Sequence, residues 1–156
     1  MKKIAAHARL KAGCLASALL LVLLSAAQAQ PALLPDKPFA EHRLALQLSD
    51  NDPKKEGLII SIANNLLKAY DPDKIAIEVV TFGPGIDLLR DTNEYRSLVD
   101  SLVTQGVRFD VCGNTLDTIE RETGKRPAIN PLAIEVQVGV EQILKLTESG
   151  YTLVRP

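Results

Sequence analysis

Two cysteines occur in this chain of 156 residues, Cys14 and Cys112, and only the second stands where a thiol could be used. It closes the run Val107-Arg108-Phe109-Asp110-Val111-Cys112, in which apolar residues alternate as on a strand, and Gly113-Asn114-Thr115 follows with helix-opening residues. A sulfur at such a junction lies near helix N-terminal amides, which favour the thiolate and lower the thiol pKa. Gly113 adds no side chain beside the sulfur and leaves room for a reacting partner. Cys112 is therefore the expected nucleophile. The competing reading is a small buried apolar group at a strand end, which the residue type alone allows equally well.

The other candidates are weaker. Gly83-Pro84-Gly85 ends a strand and could offer amides to an anion, but it lacks the glycine spacing of a phosphate-binding loop and reads first as a turn. Gly83 and Gly85, with Gly113 and Asn114 at the cysteine, form the expected binding set around Cys112. Asp50, Asn51 and Asp52 lack the twelve-residue pattern of a calcium loop, and capping accounts for Asp52. His42 is the sole histidine outside the first 29 residues, too few for an ordinary metal site or for a hydrolytic base beside a serine elbow, which is also missing. No metal or cofactor is expected. The chain has no Trp and few other aromatic residues, so its interior is aliphatic and offers no aromatic platform.

The elements that must position Cys112 alternate regularly. Arg43 to Leu48 reads as a strand, and Asp52-Pro53 as the start of a helix ending at Tyr70, with Leu58, Ile59, Ile62, Leu66 and Leu67 as its apolar stripe. Ile75 to Phe82 is nearly continuous in apolar residues, as on a strand buried on both faces. A helix is expected over Asn93 to Gln105, a strand over Val107 to Cys112, and a short helix from about Asn114, with Asn114 or Thr115 as its cap. Ile134 to Val138, Val140 to Ser149 and Tyr151 to Val154 complete the pattern as strand, helix and strand. Glu120 to Arg126 reads as solvated surface and loop.

Such alternation predicts a single α/β domain over 43–156, with about five mostly parallel strands and helices on both faces of the sheet. The loops at the carboxyl ends of the strands, Ser49 to Asp52, Phe82 to Gly85 and Cys112 to Thr115, should then face one cleft.

The first 29 residues read as an export signal. Lys2, Lys3, Arg9 and Lys11 precede an apolar stretch with Leu19 to Leu24 unbroken, and Ala27-Gln28-Ala29 is a small-x-small cleavage site. Cleavage after Ala29 is expected, with residues 30–42 as an irregular, proline-containing leader. The stretch is shorter and more diluted than a membrane-spanning helix needs, and Cys14 lies before its leucine core, not after it as lipidation would require. Periplasmic location without a membrane anchor follows. Loss of four basic residues takes the net charge from −1 to −5, and with no basic run beyond Lys54-Lys55 this argues against nucleic acid as a partner. In an oxidising compartment Cys112 would have no partner within its own chain.

The segment Gly106-Val107-Arg108-Phe109-Asp110-Val111-Cys112-Gly113-Asn114-Thr115-Leu116 resembles the DsrE/DsrF-like sulfur-relay family, in which Gly-Val precedes an apolar strand ending in Cys and a small residue. The resemblance extends to Val79 through Ile86 and to Gly139-Val140 through Gly150-Tyr151, so that most of 43–156 is covered. It implies a DsrE-like three-layer fold and a Cys112 that accepts a sulfane sulfur as a persulfide and passes it on. It also implies a homo-oligomer, trimer or hexamer, and a sulfur donor or acceptor protein as partner. Well-understood relay members act in the cytoplasm, so an exported member would need different partners. Two other readings stand beside it: a non-catalytic binding or assembly module of the same fold, and a thiol redox sensor that pairs with a cysteine from another chain.

Overall fold

In a computed structural model of the protein, residues 37–156 are described. The expected signal, its cleavage site and most of the irregular leader lie outside them. The elements are β1 (His42–Leu48), α1 (Pro53–Tyr70), β2 (Ile75–Thr81), a 3₁₀ helix (Gly83–Leu89), α2 (Arg96–Thr104), β3 (Arg108–Cys112), α3 (Gly113–Thr123), β4 (Ile134–Val136), α4 (Gly139–Glu148) and β5 (Thr152–Val154). The five strands form one sheet in the order β4-β3-β2-β1-β5, and every neighbouring pair is parallel. The α/β fold expected from the alternation is the fold observed.

The connections decide what covers each face. From β1 through β4 each strand lies beside its predecessor on the same side, and right-handed crossovers then place α1, α2 and α3 together on one face. Returning from β4 at one edge to β5 at the other reverses the direction, which sends α4 to the opposite face. The packing follows this division. Leu46, Ile77, Val79, Phe109 and Val111 of the sheet share a large core with Ile59, Ala63 and Leu67 of α1, Val99 and Leu102 of α2, and Leu116 of α3. On the other face Ala45 and Val80 meet Ile143 and Leu146 of α4 in a small cluster, flanked by Phe82 and Tyr151.

Local sequence explains most boundaries. Asp52 caps α1, its carboxylate accepting the Lys54 amide at 2.9 Å, and Pro53 occupies the first turn, where a missing N–H costs nothing. Asp71, at φ 62°, turns the chain out of the helix. Several expectations needed correction. The buried stripe of α1 runs through Glu56, Ile59, Ile60, Ala63 and Leu67, while Leu58 is 45 % exposed. The helix α2 begins at Arg96, because the Asn93 side chain accepts the Tyr95 amide and holds the preceding residues in a turn. The helix α3 begins at Gly113, so its cap is Cys112 itself and not Asn114 or Thr115. It runs on to Thr123, which makes the first part of the expected Glu120–Arg126 loop helical.

Candidate functional site

β3 ends and α3 begins at one residue, and that residue is Cys112. Its backbone is extended (φ −73°, ψ 115°), and the first turn of α3 starts on the next residue. Because Phe109 and Val111 point into the three-helix core, Arg108, Asp110 and Cys112 alternate onto the face covered by α4. The sulfur thus meets a second helix start. The Gly139 amide, at the head of α4, donates to Cys112 Sγ at 3.3 Å, and the sulfur lies 3.9 Å from the Gln137 carbonyl.

Two glycines make this closeness possible. A Cβ on Gly139 would lie 3.2 Å from Cys112 Cβ and 3.3 Å from Phe82 Cβ, and one on Gly113 would lie 2.9 Å from a Glu135 carboxylate oxygen and 3.4 Å from the Val136 carbonyl. The two loops are also tied directly. Asn114 N–H donates to the Gln137 carbonyl at 3.1 Å, and the Gln137 side-chain amide donates to Asn114 Oδ1 at 2.8 Å. Residues 137–139 therefore form a strap over the sulfur, which is only 6 % exposed as a residue.

Burial is the largest single influence on the Cys112 thiol and pushes its pKa up. It is outweighed by the Gly139 amide, the Thr115 hydroxyl and the amides of Thr115 and Asn114, all of which favour the anion, so the thiol lies below its ordinary value. The arrangement can hold a thiolate at the meeting point of two helix N-termini.

The expected cleft also exists. A cavity of about 530 Å³ at the carboxyl ends of β1, β2 and β3 is lined by Asn51, by Gly83 and Ile86, and by Asn114 and Thr115, one group from each of the three loops. The Arg90–Asp87 ion pair, 2.9 Å apart, stands at its wall. Of the expected binding set, Gly83 and Asn114 line this cavity, whereas Gly85 and Gly113 do not. Gly85 packs instead against the end of β1, where a Cβ would come within 2.4 Å of the Leu48 carbonyl oxygen. Cys112 is absent from the lining because its side chain turns to the other face of the sheet. Thr115 joins the two places: it lines the cavity, its hydroxyl accepts the Gly83 amide at 3.0 Å, and the same hydroxyl acts on the sulfur.

Sequence reading missed the roles of Thr115, Gln137 and Gly139. It also passed over two buried acids, Glu78 in the middle of β2 and Asp110 two residues before the cysteine, both no more than 2 % exposed. A carboxylate inside an otherwise apolar strand was the available signal for each. His42 packs its ring 4.2 Å from that of Tyr70. Among the described residues no group of three or more His, Cys, Asp or Glu is placed to hold a metal ion, and no helix is long and apolar enough to cross a membrane.

No protein-family description matches the chain, and no curated protein matches it. A solved structure does: MTH1491 from Methanobacterium thermoautotrophicum, a protein of unknown function, superposes with a TM-score of 0.67 at 29 % identity. The match covers 74 % of this chain and 100 % of the other. The likeness bears on the fold and brings no activity with it.

Proposed function

We propose that this is an exported, periplasmic, DsrE-like sulfur-handling protein in which Cys112 carries a sulfane sulfur between a donor and an acceptor, within a homo-oligomer. The observation that carries the reading is the sulfur's position against the first amide of α4 and inside the first turn of α3, with its thiol lowered despite burial. That environment supplies what the chemistry requires. The Cys112 thiolate attacks the outer sulfur of a donor persulfide, a Cys112–S–SH forms, and the donor leaves as its thiolate. The thiolate of an acceptor then attacks the outer sulfur of Cys112–S–SH and restores the Cys112 thiolate.

Incubating the purified protein with polysulfide and weighing it intact tests this. Addition of one sulfur mass, reversed by dithiothreitol and lost in Cys112→Ser, is the expected result. Failure to take up sulfur from polysulfide or from a low-molecular-weight persulfide would overturn it.

A second reading has its own support, because the 530 Å³ cavity lies where parallel sheets bind ligands yet excludes the sulfur. A binding module of the same fold would use that cavity and leave Cys112 unmodified. A redox sensor would instead give a dimer on non-reducing gels, since Cys112 is the one free cysteine among the described residues.

A further inference from the structure

The face of the sheet under α4 holds a buried charge cluster that the sulfur chemistry does not use. Glu78 on β2 lies beside Arg108 on β3, with 3.2 Å between a carboxylate oxygen and Nε, and Gln142 of α4 donates to the other Glu78 oxygen at 2.6 Å. Asp110, one step further along β3 on the same face, is 0 % exposed, and neither of its carboxylate oxygens has a hydrogen-bond partner. A bare carboxylate in that position would be very costly. The remaining way to satisfy it is for Asp110 to keep a proton and share it with Glu78, an acid bound to an acid.

Arg108 is the cation that faces it and draws its pKa down, but Arg108 is paired with Glu78 and does not outweigh the burial; among the described residues no further charge is placed to neutralise Asp110. On β1, Arg43 is occupied with the Tyr151 ring and the Lys37 carbonyl; on β4, the residue paired with Asp110 is Ile134. On α4, Glu141 and Lys145 pair with one another at exposed positions, and Cys112 is the next residue of β3 on this face. Burial first, and Glu78 second, push the Asp110 pKa up to about 9.

We propose that Glu78, Asp110 and Gln142 form a proton-operated latch on α4: the protonated pair keeps the helix seated with the Gly139 amide against Cys112, and loss of the proton lifts the helix and uncovers the sulfur. As regulation of the sulfur site it rests on the function proposed above, but as a statement about α4 it can be tested without any sulfur donor. The geometry supports the coupling because Gln142 and Gly139 lie within one turn of the same helix, one on the acid pair and the other on the sulfur. The small apolar cluster beneath α4 leaves that polar tie a large share of its anchoring.

The same proton has a consequence for stability. Between the ordinary aspartate range and about pH 9 the folded protein holds a proton that the unfolded chain has lost, so stability falls as pH rises through that window. Asp110→Asn, a neutral group of the same shape, should flatten this fall.

The deciding experiment is the rate of Cys112 alkylation by iodoacetamide in the intact protein as pH is raised, with far-ultraviolet circular dichroism confirming that the fold persists. A thiolate alone gives one rise and a plateau. The latch adds a second rise near pH 9, on the order of tenfold as a nearly covered sulfur becomes exposed, and Asp110→Asn abolishes it. A single rise in the wild type, or a second rise that survives Asp110→Asn, would overturn the proposal. Infrared spectroscopy of the wild type keeps the test open should the variant misfold: a protonated-carboxyl C=O band at neutral pH must vanish near pH 9, and its absence at neutral pH is equally fatal. A chain that shows the latch but never accepts sulfur would sink only the functional reading.

Discussion

A methyl group at position 139 would have to displace Cys112 Cβ, 3.2 Å away, or the Phe82 ring, 3.4 Å away, and neither lies at the end of a flexible chain. Gly139→Ala should therefore cost about 1–3 kcal/mol, read as a lower urea midpoint. It should also draw the amide back from the sulfur and move the pH midpoint of Cys112 alkylation upward. Gly113→Ala provides the contrast. Its nearest obstacle is the tip of the Glu135 side chain, which can swing away from its ion pair with Arg126, so the loss should be smaller and the thiol little changed. The wild-type thiol has a linked effect on stability. Its folded pKa lies below the unfolded value, so the thiolate stabilises the fold above the unfolded thiol pKa, and that contribution is lost as pH falls through the folded pKa. Cys112→Ser should lack this dependence. A pair of denaturation series across the alkaline range would show the two curves diverging as pH rises, and parallel curves would contradict the lowered pKa.

Asp52 holds the first turn of α1 through the Lys54 amide, and Asp52→Ala should cost about 1 kcal/mol in a urea melt without affecting Cys112 reactivity. That start was legible from sequence because Asp-Pro is a local signal that needs no tertiary partner, and Ile75 to Phe82 was legible because a strand buried on both faces must be apolar throughout. Where tertiary packing decides, sequence reading went astray. Leu58 fits a helical spacing but is 45 % exposed, since the sheet selects which part of a broad apolar stripe it covers. The 3₁₀ helix at Gly83–Leu89 went unforeseen because Gly-Pro-Gly reads equally well as a turn. At the site, the position of Cys112 at a strand–helix junction could be read in advance, but its second helix could not. Gly139 is 27 residues away in the chain, and only the return crossover from β4 to β5 brings it to the sulfur.

For the whole molecule, the reversal of strand order after β4 gives the sheet two unequal faces. Three helices and the 3₁₀ segment share the large core on one side, whereas α4 rests on Ala45 and Val80 through Ile143 and Leu146, with Gln142 as its polar tie. Opening α4 exposes far less apolar surface than opening α1, and the free energy of a local opening follows the surface it exposes. Hydrogen–deuterium exchange should accordingly find the amides of α4 exchanging well before those of α1 and of the central β1–β2 ladder, and earliest at its first turn, beside the strap at 137–139. This places a helix with a small apolar footing directly over the cysteine. A partner could then reach the sulfur by displacing α4 while the three-helix face stays folded. Equal protection of α4 and the β1–β2 ladder would mean that the two faces open only together, and access to Cys112 would then require global unfolding.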